Sequence, residues 1–277
     1  MVATTLIAGC GDVGTRLARR LAVRGERVLG LRRSVGALPA GVEPVVADLG
    51  DPASLAVLPR GITRLVYLPA PDARSPQAYR RVYVEGLAAL LDRLDPATLE
   101  RALLISSSAV YGEHAGAWVD EDTPPAPLGF NGAILLEAEA LWRARLPGRP
   151  VLRLAGLYGP GRTRLLDELR AGSARAPRDP PFYANRMQVD DVAAALDHLL
   201  SLPAPAPLYL GCDDTPLPQF ELYAALAGML GAPAPGEGPP PAGIGNKRLS
   251  NARLRASGFA PVWTDARRGY AALIGAG

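Results

Sequence analysis

Short apolar runs alternate with amphipathic stretches over the first 155 residues of the chain. The amphipathic stretches carry apolar residues at helical spacing, whereas the apolar runs are too short for helices. The predicted strands are Thr4–Ala8, Arg27–Leu31, Glu43–Ala47, Leu65–Leu68, Ala102–Ile105 and Val151–Leu154, and the predicted helices are Val13–Arg24, Tyr79–Leu94 and Leu135–Arg145. Alternating helices and fully apolar strands predict an α/β fold, a doubly wound parallel sheet that is covered on both faces.

The regular alternation of predicted strands and helices ends after Gly161, and mainly helices and loops follow. The predicted elements are a strand at Leu208–Leu210, an irregular Pro/Gly-rich loop at Ala232–Gly245, and helices at Leu165–Gly172, Val192–Leu200 (with Asp190 as N-cap) and Phe220–Leu230. We therefore predict a larger α/β domain over 1–160, completed by about 186–212, and a small C-terminal lobe drawn mainly from 161–277.

Composition narrows the class of protein. The chain has 277 residues, 48% of them hydrophobic, and a net charge of +3, so neither a nucleic-acid surface nor a disulfide framework is indicated. Only two cysteines and two histidines occur, too few for a metal site. The chain shows neither an apolar run of about 20 residues nor a signal-like start. We expect a cytoplasmic protein that binds neither membrane nor nucleic acid.

A glycine-rich motif joins the first strand to the first helix. Gly9, Gly11 and Gly14 form the pattern G-x-G-x-x-G, with Asp12 and Val13 between the last two glycines. In a strand–turn–helix context the first glycine permits a tight turn, the second lets a pyrophosphate approach, and the third allows close packing of helix on strand. The motif predicts a nicotinamide-dinucleotide site at the positive end of the helix, in a Rossmann domain.

The end of the second strand bears on which dinucleotide is bound. Sites for NAD usually carry an acidic residue there, but this strand ends in Arg32, Arg33 and Ser34. Two guanidinium groups and a hydroxyl could bind a 2′-phosphate, so the sequence favours NADP, with NAD as the alternative. The other interpretation is two surface arginines that follow a strand.

The third and fourth strands also end in candidate cofactor contacts. These are Asp48 and Leu49 after the third strand, and Pro69 and Ala70 in a proline-rich turn after the fourth. The carboxylate of Asp48 could lie near the adenine amino group or could cap the next turn, and the sequence leaves both interpretations open.

Five segments together resemble the extended short-chain dehydrogenase/reductases, a superfamily that includes sugar-nucleotide epimerases and dehydratases. The resemblance covers nearly the whole chain and is most specific for an atypical bacterial branch, the YeeZ-type proteins. The segments are the glycine motif, Asp48–Leu49, SSSAVYG at 106–112, RLAGLYGPGR at 153–162 and NRMQVDDV at 185–192, and NKRLSNARLRASGF at 246–259 supports the branch. The resemblance implies a C-terminal lobe that binds substrate.

The resemblance also implies a catalytic Ser, Tyr and Lys, the last two spaced as Tyr-x-x-x-Lys. Ser107 matches the serine, but the positions expected for the pair hold Asn131 and Leu135. Lys247 is the only lysine in the chain and lies in the C-terminal lobe. We name Ser107 and Tyr111 as catalytic candidates, although a tyrosine without an adjacent cation is a poor base at neutral pH.

Two functions are therefore carried forward. The first is an NADP-dependent oxidoreductase or epimerase of unusual mechanism that acts on a small polar substrate, phosphorylated or nucleotide-linked. The C-terminal lobe offers Arg162, Arg164, Asn185 and Arg186 for such a substrate. The second is a sensor or regulatory protein that binds the dinucleotide without turnover. A homodimer through the long helices is also implied by the resemblance.

Overall fold

Seven strands form one sheet in the computed structural model, which describes residues 3–34 and 36–275. In a numbering that runs through all strands in chain order, they are β1 (Thr4–Ala8), β2 (Arg27–Arg32), β3 (Val42–Val46), β4 (Arg64–Tyr67), β5 (Arg101–Ser107), β7 (Val151–Leu154) and β12 (Leu208–Gly211). Their order in the sheet is β12-β7-β5-β4-β1-β2-β3. β1 pairs in parallel with β2 and β4, β2 with β3, and β4 with β5. The predicted α/β class and doubly wound parallel sheet are confirmed, and each of these strands overlaps a predicted one.

Eight short strands form four two-stranded pairs outside this sheet. They are β6 (Trp118–Val119) with β15 (Arg248–Leu249), β8 (Gly156–Tyr158) with β11 (Arg186–Gln188), β9 (Arg175–Ala176) with β14 (Gly236–Glu237), and β10 (Tyr183–Ala184) with β13 (Leu217–Pro218). The sequence did not predict them, because segments of two or three residues carry no periodicity. One of them, β14, lies within the segment predicted as an irregular loop.

The helices follow the predicted pattern with shifted ends. They are α1 (Asp12–Val23), α2 (Pro76–Arg80), α3 (Gly86–Arg93), α4 (Phe130–Arg145), α5 (Arg164–Arg170), α6 (Val189–Ser201), α7 (Gln219–Leu230), α8 (Ala252–Ala256) and α9 (Ala266–Gly275), with short 3₁₀ turns at Ser54–Val57 and Ser108–Val110 and a π-helical segment at Arg81–Glu85. α4 begins at Phe130 and not at the predicted Leu135. α6 begins at Val189, so Asp190 lies in its first turn and is not the N-cap. α9 was not predicted.

Helix α1 shows how the sequence positions the glycine motif. Its apolar residues Val13, Leu17 and Leu21 are buried. The helix stops where Gly25 adopts a positive φ of 78° and donates its N–H to the carbonyl of Ala22 at 2.9 Å. The glycine thus follows the C-cap residue Arg24, where a positive φ commonly ends a helix, and the helix begins directly after Gly11.

The chain divides into two compact units. Unit 1 contains the chain up to Ser107 together with 130–152 and 193–208, and unit 2 contains 108–129, 153–192 and the chain from Tyr209 onward. The division differs from the predicted boundary at 160, because 108–129 and 153–160 belong to unit 2. Each unit has its own apolar core, with Trp142 fully buried in the first and Tyr158 in the second. Among the described residues, no helix is long and apolar enough to span a membrane.

Candidate dinucleotide-binding site

The loops predicted to bind a cofactor emerge from one edge of the sheet in unit 1. Strands β1 to β5 are linked by parallel pairings, so their carboxyl ends lie at the same edge, where α/β proteins bind ligands. The predicted residues at this edge are Gly9, Gly11, Asp12, Val13 and Gly14, Arg32, Arg33 and Ser34, Asp48 and Leu49, Pro69 and Ala70, and Ser107.

The three glycines have different surroundings. Gly9 has a φ of 97°, and a Cβ on it would lie 2.5 Å from backbone atoms of Pro69. A Cβ on Gly14 would lie 2.9 Å from the carbonyl oxygen of Gly9, so a side chain there would push α1 away from β1. A Cβ on Gly11 would meet no atom closer than that same oxygen at 4.0 Å. Close packing therefore requires Gly9 and Gly14, whereas the space in front of Gly11 is open to a ligand.

The backbone of the motif holds the turn and leaves the helix start available. The N–H groups of Gly9 and Cys10 both donate to the carbonyl of Leu31, at 3.1 and 2.9 Å. The first helical hydrogen bond runs from the N–H of Thr15 to the carbonyl of Gly11 at 2.8 Å, and Gly11, the N-cap residue, has no side chain that could cap the helix. A helix start of this kind presents N–H groups and partial positive charge to an anion. The residues present therefore fit a pyrophosphate.

The two arginines at the end of β2 differ in their partners. Both terminal guanidinium nitrogens of Arg33, Nη1 and Nη2, contact the carboxylate of Asp72, and this ion pair holds the pKa of Asp72 below its usual value. Arg32 lies against Gly36, with its guanidinium carbon 2.9 Å from where a Cβ of that glycine would be. Within residues 3–34 and 36–275, Arg32 forms no ion pair. Ser34 is exposed beside them. Arg32 is thus the cation available to a further anion.

Asp48 fills two structural roles at the end of β3. One carboxylate oxygen accepts from the N–H of Gly50 at 2.8 Å, which is the turn-capping contact that the sequence allowed. The other accepts from Arg81 at 2.8 Å. The Arg81 side chain occupies the space that a side chain on Gly50 would need, 1.9 Å from its Cβ position. The contact to adenine stays a prediction.

Three other predicted contacts differ in what they can offer. Leu49 is buried in the core of unit 1, so only its backbone could face a ligand. Pro69 lies against Gly9 and is half-buried, and Ala70 is exposed. The loop after β4 thus packs directly on the glycine turn, an approach that only a glycine at position 9 permits.

The two serines that end β5 are not equivalent. Ser106 donates to a carboxylate oxygen of Glu139 at 2.7 Å, and Arg143 donates to the other at 2.7 Å. Glu139 is fully buried, on the same face of α4 as Leu135 and Trp142. Ser107, the catalytic candidate, is the last residue of β5 and is half-buried. The sequence contained a signal for the Ser106 contact, since a glutamate on the apolar face of a helix needs a buried partner.

Tyr111, the second catalytic candidate, lies in the interior of unit 2. Its hydroxyl donates to the carbonyl of Asp120 at 2.8 Å and accepts from Arg153 at 2.8 Å. The Arg153 guanidinium also lies 4.9 Å from the centre of the Tyr111 ring. Tyr111 is 1% exposed and Arg153 is 3% exposed. Tyr111 therefore has a neighbouring cation, which the sequence could not show because residues 42 positions apart in sequence meet here.

Lys247 is tied to the same turn of unit 2, a link that sequence reasoning missed. Its ammonium donates to the carbonyls of Tyr111 at 3.2 Å and Gly245 at 3.1 Å. Burial lowers the pKa of Lys247 to about 8. The adjacent Asn246 accepts from the N–H of Tyr183 at 2.9 Å, and Asn185 donates to the carbonyl of Lys247 at 2.9 Å. Asn185, expected to face substrate, is thus engaged in holding this segment.

Tyr158 and Asp213 both bury polar side-chain atoms in unit 2. The Tyr158 hydroxyl and one carboxylate oxygen of Asp213 have no hydrogen-bond partner among the described residues. Burial raises the pKa of Asp213 to about 8, and burial also raises the pKa of Tyr158 above its usual value. Asp191 is different, because its carboxylate accepts from the N–H groups of Val262 and Trp263 at 2.9 and 2.8 Å. Tyr158 is therefore a packing residue, stacked on Tyr270 at 4.4 Å.

Comparisons with known proteins agree with this geometry. The family model for the NAD-dependent epimerase/dehydratase family matches residues 5–207. Protein YeeZ of Escherichia coli K12 is 30% identical over 243 residues, which is 83% of this chain and 84% of that protein. A solved structure from Methylobacillus flagellatus, provisionally described as an NAD-dependent epimerase/dehydratase, is 40% identical with a TM-score of 0.84, covering 100% of this chain and 99% of that one.

The fold is also shared with more distant solved structures. The UDP-glucose 4-epimerase of Thermus thermophilus, solved in complex with NAD, is 22% identical and has a TM-score of 0.81, covering 99% of each chain. The family match and the turn at Gly9 to Gly14 described above point to the same class of cofactor, a nicotinamide dinucleotide. On the family match and the identity to its relatives, this chain belongs to the NAD-dependent epimerase/dehydratase family.

Proposed function

We propose that this protein is a nicotinamide-dinucleotide-dependent oxidoreductase or epimerase that prefers NADP(H), with Gly9 to Gly14 receiving the pyrophosphate. When bound, the cofactor supplies hydride exchange, and the residues of the chain bind and orient it. The observation that carries the proposal is the open space at Gly11 in front of the start of α1. The substrate class we propose is a small polar molecule, phosphorylated or nucleotide-linked, as in the epimerases of similar fold.

The preference for NADP rests on the end of β2. Arg32 is without an ion-pair partner in the described ranges, and the strand carries no acidic residue to accept from a ribose hydroxyl. A hydrogen bond to a charged group contributes about 1.5–3 kcal/mol, which corresponds to about 10- to 100-fold in affinity. We therefore expect NADPH to bind more tightly than NADH, with Arg32 as the main contact to the 2′-phosphate.

Dissociation constants for NADPH and NADH test this preference. Arg32→Gln should weaken NADPH by about 10-fold or more and leave NADH nearly unchanged. Arg60→Gln is the matched control, because Arg60 is exposed in the same unit and forms no ion pair among the described residues. Equal affinities in the unaltered protein, or tighter binding of NADH, would overturn the preference.

The catalytic assignment is proposed with a departure from the superfamily. Leu135, where the resemblance places the lysine, is buried in α4 at 4% exposure and can hold no proton. We propose Ser107 as the residue that orients the substrate oxygen, because it ends β5 at the ligand-binding edge of the sheet. Tyr111 remains the second candidate, with Arg153 as the cation beside its hydroxyl.

Turnover is tested on a panel of carbonyl and sugar-nucleotide substrates, by absorbance at 340 nm with NADPH for net reduction and by product analysis for epimerisation, which leaves the cofactor unchanged overall. Ser107→Ala should lower kcat by about tenfold or more, with cofactor affinity unchanged. Ser108→Ala is the matched control, since the Ser108 hydroxyl forms no hydrogen bond in the described chain. Cofactor binding without turnover on the whole panel would favour the second candidate function, a dinucleotide sensor, which the apolar Leu135 supports.

A further inference from the structure

The ion pair between Arg33 and Asp72 crosses the glycine turn. Arg33 follows β2, and Asp72 lies in the loop after β4. In the sheet β1 lies between these two strands, so the pair joins the loops on either side of the turn that follows β1. Pro69, at the start of the loop that carries Asp72, packs on Gly9. The carboxylate is therefore held at the arginine end of the dinucleotide site by its own loop.

We propose that Asp72 is a specificity-determining residue that competes with a ribose 2′-phosphate for Arg33. This inference rests on the proposed dinucleotide site. A cofactor with a 2′-phosphate replaces the carboxylate as the anion on Arg33, whereas a cofactor without one leaves the ion pair intact. Asp72 thus limits how strongly the protein favours the 2′-phosphorylated dinucleotide. Arg32, which forms no ion pair in the described ranges, supplies a positive charge for which no carboxylate competes.

The energies involved make this exchange feasible. The Arg33 and Asp72 side chains are 55% and 59% exposed, and an ion pair as exposed as this is weak. A phosphate monoester carries up to two negative charges and three acceptor oxygens, so it outcompetes one carboxylate at a guanidinium. Removing the carboxylate abolishes both the competition and the repulsion of the incoming phosphate.

The probes are 2′,5′-ADP and 5′-ADP, which carry two phosphates each and differ only in where the second is attached, at the 2′ oxygen in the first and on the 5′-phosphate in the second. The quantity measured is the ratio of their dissociation constants, by calorimetry on the full chain. Asp72→Asn should raise the preference for 2′,5′-ADP by about threefold to fivefold, mostly by tighter binding of that ligand. Glu43→Gln is the matched control, because Glu43 forms an exposed ion pair with Arg27 at the opposite end of β2 and its loss changes the net charge equally.

A double-mutant cycle tests whether Asp72 acts through Arg33. In an Arg33→Gln background, Asp72→Asn should raise the ratio by no more than about twofold, because only the repulsion between carboxylate and phosphate is relieved and no guanidinium remains to be released. An increase as large as in the unaltered protein would overturn the inference, since it would reflect net charge alone.

The remaining outcomes separate this inference from the proposed function. If the unaltered protein binds neither probe, the proposed dinucleotide site is overturned. If it binds both and Asp72→Asn leaves the ratio unchanged or lowers it, only the role of Asp72 is overturned. A raised ratio in Asp72→Asn together with an unchanged ratio in Glu43→Gln supports the assignment.

Discussion

The stability that the fold gains when Asp213 is replaced by asparagine should increase with pH. Asp213 is 2% exposed, and its pKa rises from 3.8 to about 8 because burial disfavours the carboxylate. A carboxyl whose pKa is higher in the folded than in the unfolded state retains its proton only when folded. Raising the pH from the unfolded pKa to the folded pKa therefore favours unfolding, whereas an asparagine does not titrate and is free of this dependence.

The size of the effect follows from the two pKa values. Between about pH 5 and pH 8 the folded chain holds one more proton at Asp213 than the unfolded chain. The free energy of unfolding of Asp213→Asn relative to the unaltered protein should then grow by about 1.4 kcal/mol per pH unit. Over about three pH units this amounts to about 4 kcal/mol, and above the folded pKa the difference should level off.

Urea unfolding followed by tryptophan fluorescence, at pH 5, 6, 7 and 8, measures this slope. Glu237→Gln is the control, an exposed acid in the same unit whose carboxylate forms no hydrogen bond among the described residues. The difference for Asp213→Asn should grow more steeply with pH than the difference for this control. A flat difference for Asp213→Asn, or one no steeper than the control, would refute the argument that burial keeps this carboxyl protonated.

Three further predictions follow from the two units. Gly11→Val should fold with unchanged stability yet lose dinucleotide binding in a calorimetric titration, whereas Gly14→Val should lower the melting temperature, because its side chain would meet the carbonyl of Gly9; equal melting temperatures would contradict this. Glu139→Ala should cost about 1–3 kcal/mol in urea unfolding by leaving the Ser106 hydroxyl buried without an acceptor, and Glu139→Gln should cost less. Lys247 has a pKa of about 8 in the folded protein and a higher one in the unfolded chain. The free energy of unfolding of the unaltered protein relative to Lys247→Met should therefore rise between about pH 8 and 10. A fall would be inconsistent with the burial of Lys247.

The sheet was predictable because its signal is local. Most strands of the central sheet are apolar runs long enough to be recognised, although β3 carries a glutamate and a proline, and the glycine motif lies where a strand meets a helix. The start of α4 was placed too late, because the turn from Phe130 to Ile134 has a mixed composition in which periodicity is a weak signal. The short strand pairs were missed because each joins segments far apart in sequence, as in β6 with β15.

The site was predictable only in part, for a related reason. The types of residue at Gly11 and Arg32 indicate their chemistry directly. By contrast, the neighbours of a side chain depend on the fold, as the contacts of Arg33 with Asp72 and of Arg153 with Tyr111 show. The sequence could also not show that Asp48 would hold Arg81, since the π-helical segment that carries Arg81 has no sequence signature.

The burial of Lys247 has a practical consequence for the chemistry of the protein surface. It is the only lysine of the chain and is 3% exposed, so every positively charged side chain on the surface is a guanidinium or a histidine. Reagents that acylate ε-amino groups should therefore leave the folded protein unmodified at its side chains and label Lys247 only as the fold opens. Acylation at this one position would then report unfolding of the segment around Tyr111 as a single change in mass.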